Sequence, residues 1–116
     1  MGNLAILYFM EGKVDHAAPF FERSEAMSSH ILDLNPHDYW ARLDRATARL
    51  ALGRPDDALA DLEIALQQIQ TASPLEIVLG ELNRLKHSPQ PPDGIDRVVE
   101  EIENALARIK SASVTR

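Results

Sequence analysis

A residue pair four positions apart recurs three times in this chain, as Ala17-x-x-x-Phe21, Ala58-x-x-x-Leu62 and Val98-x-x-x-Ile102, at spacings of 41 and 40 residues, small then large in the first two copies and with Val in place of Ala in the third. Each copy follows a Gly or Asp-Gly turn by four or five residues, and Ser24, Ala65 and Ala105 put small residues at matching positions beyond it. Residues four apart share one face of a helix. A fixed period of this length is the mark of stacked helical units, none of which can bury its apolar face alone.

Gly12, Asn35-Pro36, Gly53-Arg54-Pro55, Ser73-Pro74 and the run from Ser88 to Gly94 punctuate the chain and cut it into six helical segments. Between them Ala, Leu, Glu, Arg and Gln dominate and no period-two alternation is sustained, so the fold is expected to be all-α. Asn35-Pro36, Asp93 and the capping box Ser73-Pro74-Leu75-Glu76 look like helix starts. Pro19 is tolerated only in the first turn of the second helix and so helps to place that start. The last helix is amphipathic, with Val98, Val99, Ile102, Ala105, Leu106 and Ile109 on one face. Ser88 to Gly94 reads as an extended surface loop between the fifth and sixth helices, and the chain is expected to fray from Ser111. The three hairpins fall at roughly 1–34, 36–72 and 74–112 of a single domain, with 113–116 as a tail.

At 116 residues and 45% hydrophobic, the chain can bury one continuous core without metals or disulfides. It has no cysteine, which excludes thiolate chemistry and favours an intracellular, cytoplasmic location. The net charge of −6 disfavours nucleic acid and anionic membranes as partners and suits a basic or neutral protein. The short apolar run Leu4 to Met10 lacks the flanks of a signal peptide, and Ile6 stands where a myristoylation motif needs Ser or Thr. No stretch approaches the roughly 20 apolar residues of a membrane span.

The segment Asn3-Leu4-Ala5-x-x-Tyr8-x-x-x-Gly12-Lys13-x-x-x-Ala17-x-Pro19-x-Phe21-Glu22-Arg23 resembles the longer, kinesin-light-chain-like variety of tetratricopeptide repeat. Asp44 to Leu66, with Leu50-Ala51-Leu52-Gly53-Arg54-Pro55 at its centre, is similar to the ordinary bacterial version. The final third departs from the pattern, as a terminal capping unit does. The resemblance implies a right-handed α-solenoid of three antiparallel hairpins. It also implies a concave groove, lined by the first helix of each hairpin, that holds an extended peptide or a helix. In the family's register Asn3, Leu7, Trp40, Leu43, Thr47, Asn83 and His87 face that groove, with Trp40 as the candidate anchor. The alternative for Trp40, packing with Tyr39 at the junction of the first two hairpins, is the stronger of the two. The cationic clamp by which some members hold a C-terminal carboxylate is absent as a set, because its positions carry Leu4, Leu43 and Asp44.

Arg42, Arg45 and Arg49 form one helical stripe that could meet an acidic partner or phosphopeptide. The better supported alternative pairs the stripe internally with Asp56, Asp57 or Asp61. His30, Asp33 and His37 have ligand-like spacing, but Asn35-Pro36 interrupts the helix between the last two, so no metal or other cofactor is expected. No catalytic motif is present. The expected role is therefore a non-enzymatic interaction module for a peptide or helix of another protein, with structural self-association as the alternative.

Overall fold

The computed structural model describes residues 2–114, with side chains from Leu4 to Ala112; the side chain of Asn3 and the last two residues of the expected tail lie outside the described residues. Six helices follow one another: α1 (Gly2–Met10), α2 (Val14–Leu34), α3 (Tyr39–Ala51), α4 (Pro55–Gln68), α5 (Ala72–Lys86) and α6 (Ile95–Val114). They pair as hairpins, α1 with α2, α3 with α4 and α5 with α6, and α2 also packs along α3. Helix α6 runs on through Ser111 to Val114, past the point where the sequence predicts fraying.

Gly12, Gly53 and Gly94 stand 41 residues apart and share φ near +80° (78°, 82° and 81°). At the first two, the chain closes a helix and reverses. Lys13 N–H donates to the Tyr8 carbonyl at 2.9 Å and Arg54 N–H to the Arg49 carbonyl at 2.8 Å, six-to-one bonds that satisfy carbonyls at the helix end. The equal spacing conceals two constructions. Between Gly12 and Gly53 the extra length lies in the 21-residue α2; between Gly53 and Gly94, α4 has 14 residues and the length lies in the link from His87 to Gly94. Within the two glycine-to-glycine periods the stretched helix is therefore α2 alone; α6, which follows the second period, is again long at 20 residues.

That link is not a free surface loop. Ser88 and Pro92 are buried, the Ser88 hydroxyl donates to the Leu85 carbonyl at 2.6 Å, and the Pro89 ring lies against Gly12. The third hairpin is thereby fastened to the turn of the first.

Three expected helix starts are displaced. Helix α2 begins at Val14, which puts Pro19 in its second turn instead of its first. The proline lies on the exposed side of α2, and the carbonyl it leaves without a helical partner, that of Asp15, is only one turn from the helix end, where water can reach it. Helix α3 begins after Asp38, whose carboxylate accepts from Ala41 N–H at 3.1 Å, while Asn35-Pro36 makes the turn before it, with Asn35 Oδ1 accepting from His37 N–H. Helix α5 begins at Ala72 with no side-chain cap, so the Ser73 capping box does not form and Pro74 sits buried within the first turn.

The repeated residues do what their spacing requires. Ala17, Phe21, Ala58, Leu62, Val98 and Ile102 are all buried in one core cluster that spans every hairpin. The small residues let paired helices approach and the large ones fill the gap. Aromatic contacts join α1 to α2: Phe9 meets Phe21 edge-on at 6.2 Å, and Tyr8 lies between His16 at 5.7 Å and Phe20 at 5.8 Å.

Candidate functional site

The first helices of the three hairpins converge on one side of the molecule, where α5 packs against both α1 and α3. This narrows the groove to a cleft of about 30 Å³, lined by Ala5 and Ile6 of α1, Phe20, Phe21 and Ser24 of α2, Asp44, Thr47 and Ala48 of α3, and Glu81 of α5. A volume of that size holds a water molecule or one small group. It does not hold a helix.

The groove candidates divide around this cleft. Leu7 is 53% exposed and Trp40 40% exposed. Trp40 rests on Tyr39 with ring centres 5.7 Å apart, yet it is Tyr39 that packs against the core. Leu43 is 1% exposed, so a groove centred on it is not available: one turn from Thr47 and two from Leu50, it shares their buried face of α3. Thr47 lines the cleft with its hydroxyl already donated to the Leu43 carbonyl at 3.1 Å. Asn83 and His87 lie at the far end of α5, where His87 Nδ1 sits 2.8 Å from the Asn83 carbonyl. On α3, Trp40, Asp44 and Ala48 follow one another a turn apart, which puts Trp40 on the same stripe as the cleft.

Two carboxylates give the cleft its charge. Asp44 stands at its mouth and Glu81 is half-buried within it. Burial pushes the Asp44 carboxyl above its ordinary range, and the charge of Asp38 adds to this. Burial likewise raises Glu81, with further repulsion from Asp44 and a smaller opposing pull from Arg84. A carboxyl raised in the folded state binds more protons there than in the unfolded chain, so both groups cost stability at neutral pH and that cost is relieved as pH falls toward their raised values. Glu81 was not among the candidates from the sequence, because the register of the third hairpin is obscured by its long link.

A second charged system is internal. Arg45 grips Asp61 through Nε at 2.9 Å and Nη2 at 2.7 Å, and Arg49 reaches Asp61 at 3.0 Å and Glu25 at 2.9 Å. Arg42 lies 3.5 Å from Asp61 and donates to the Pro36 carbonyl, and Arg54 completes the set on Glu25 at 2.8 Å. All three arginines of the stripe thus turn toward α4 and α2, meeting Asp61 rather than Asp56 or Asp57. Burial pushes the Glu25 carboxyl up, but the hydrogen bonds and charges of Arg54 and Arg49 together hold it below the usual carboxylate range. The hydrogen bonds that Arg45 donates to Asp61 raise its pKa further, against the effect of burial. Glu25 is 24 residues from Arg49, and no local pattern marks it as a partner.

Elsewhere, an open furrow of about 360 Å³ runs between the ends of α4 and α6, walled by Leu66, Ile69, Ala105 and Ile109 and edged by Arg108. His30, Asp33 and His37 are all exposed, and among the described residues no three potential metal ligands come together. Among the same residues no helix is long and apolar enough to cross a membrane.

Comparison with known proteins matches residues 8–75 to the tetratricopeptide repeat model, more than half of the chain and the part that holds α2, α3 and α4 whole. Neither a curated protein nor a solved structure gives a significant match.

Proposed function

The chain belongs to the tetratricopeptide repeat family, and on that premise we propose that it is a protein-interaction module whose inner face, where α1, α3 and α5 converge, receives an extended segment of a partner protein. The observation that carries this reading is the exposure of Leu7 and Trp40 on the very helices that line the cleft. An aromatic side chain left open beside a recess is a natural anchor, since interface energy concentrates in such residues. The narrowness of the cleft favours an extended segment that lies across the rim and inserts one side chain over a helix laid in a groove.

Trp40 is the only tryptophan, so its emission reports on the site directly. Peptides selected from a random library on the immobilised chain are expected to shift that emission. Trp40→Ala is expected to weaken their binding by about tenfold or more, in the range of an interface anchor. Selected peptides that bind the variant as well as the parent, with no change in emission, would place the contact on another surface.

A second reading, self-association, has its own observation. Met27, Ile31 and Leu34 form an exposed apolar stripe along the extended end of α2, the part that lengthens the first repeat. If this stripe joins two copies, light scattering will show a mass that rises with concentration and reverts to that of one chain in Ile31→Asp. A constant single-chain mass across the series removes this reading.

A further inference from the structure

The cleft on the inner face is walled by Ala5, Ile6, Phe20, Phe21 and Ala48, yet two acidic residues from different helices line it as well, the exposed Asp44 of α3 at its mouth and the half-buried Glu81 of α5. Among the described residues neither forms an ion pair; the carboxylates that do are Glu11, Glu25, Asp61, Asp96 and Glu101. The other charges around the recess do not settle the pair. Asp38 adds repulsion at Asp44, Arg84 attracts Glu81 without bonding to it, and the Arg23 guanidinium lies over the Phe20 ring at 5.2 Å. Two like charges in a partly dry recess hold each other at a cost that one shared cation would remove, and apolar walls strengthen that attraction by excluding water.

We propose that this cleft takes the ammonium group of a lysine from a basic segment of the partner, with the head between Asp44 and Glu81 and the methylene stem against the aromatic wall. The inference rests on the reading of the inner face as the interaction surface. A lysine fits for two reasons. The ammonium is a compact charge with three donors, matched to two carboxylates and to a space of about 30 Å³. The guanidinium of arginine spreads its charge over a plane with its donors in a fixed fork, a poorer match to two carboxylates held on separate helices. The stem is apolar, as the wall is.

A hexalysine peptide, its fully Nε-acetylated counterpart and hexaarginine are the probes, titrated calorimetrically into the whole chain at low and physiological salt. Two double variants accompany the parent: Asp44→Asn with Glu81→Gln, and Glu100→Gln with Glu103→Gln, which removes the same charge from the exposed side of α6. Hexalysine is expected to bind the parent more tightly than hexaarginine does, and the acetylated peptide not at all. The cleft variant is expected to lose about tenfold in hexalysine affinity and the α6 variant less than about twofold. The cleft variant keeps its fold because it removes a repulsion and no contact, and an undiminished melting temperature verifies this.

Equal losses in the two variants would show attraction by net charge alone and overturn the proposal, as would hexalysine binding that survives the cleft substitutions. The library-selected peptides separate this failure from that of the broader reading. If they still shift Trp40 emission in the cleft variant with unchanged affinity, the inner face remains the interaction surface and the lysine site falls. If they shift it in neither form, both fall.

Discussion

Asp61→Ala is expected to lower the stability of the chain by about 3–5 kcal/mol, the range seen when one member of a buried ion pair is removed. Asp61 is 3% exposed and faces three guanidinium groups, with Arg45 bound in a two-pronged contact and Arg49 and Arg42 beside it. Its loss leaves Arg45 with only the Ser29 hydroxyl at 3.3 Å, and three cations crowded together with Glu25 as the nearest anion. The pair itself is weak evidence of net stabilisation, since burying charge costs solvation whatever the geometry. What makes the substitution severe is the uncompensated charge it strands. Urea unfolding monitored by helical circular dichroism measures the effect, against a total of about 6–17 kcal/mol for a chain of this length. Arg45→Met with Asp61→Leu supplies the contrast: removing both partners is expected to cost much less than Asp61→Ala alone. If Asp61→Ala costs under about 1 kcal/mol, the network is a solvated surface cluster. The acid limb should show the same network. Glu25 is held charged by Arg54 and Arg49, so its contribution is present at neutral pH and is lost as pH falls below the ordinary glutamate range.

The parts of the fold that follow from local periodicity were legible in the sequence, and the parts that follow from distant contact were not. Ala17, Ala58 and Val98 announce buried close approaches because the requirement for a small residue is imposed by the partner helix of the same hairpin, a few residues away along the chain. Gly12 and Gly53 mark reversals because a helix closing in this way needs positive φ at that one place. Pro19 misled because a proline in the second turn breaks only one hydrogen bond, a loss that an exposed helix face tolerates. The position of α5 was invisible for a different reason. Whether it lies open beside α3 or closes onto α1 depends on how the link from His87 to Gly94 docks on the first turn, and that contact spans most of the chain. The same uncertainty hid Glu81. Trp40 stood out in the sequence because a lone tryptophan is conspicuous, and its exposure is what the structure adds. Leu43 was misplaced because the family's register assigns a face without knowing how far the groove has closed.

Gly94→Ala is expected to cost about 3 kcal/mol and Gly53→Ala about 1 kcal/mol, although both glycines stand just ahead of a hairpin's second helix and have nearly the same φ, +81° and +82°. The common part is the strain of an L side chain in the left-handed region. The difference is what the new methyl meets. At Gly53 there is nothing within 4 Å, so the backbone term stands alone. At Gly94 the methyl carbon would sit 2.6 Å from Pro55 Cβ, well inside van der Waals contact, and 3.7 Å from Leu50 Cδ1. Pro55 cannot swing aside, because its ring is closed on the backbone at the first residue of α4, and Leu50 is fully buried. The start of α6 must therefore move away from α4, loosening Ile95 and Val98 from the core they enter. Thermal unfolding of the two variants tests this, with the Gly94 form expected to melt roughly 10 °C below the Gly53 form. Equal melting points would mean that Gly94 is required only for its backbone angle. A large gap would show that the third hairpin is held to the second at this one close approach between Gly94 and the Pro55 ring.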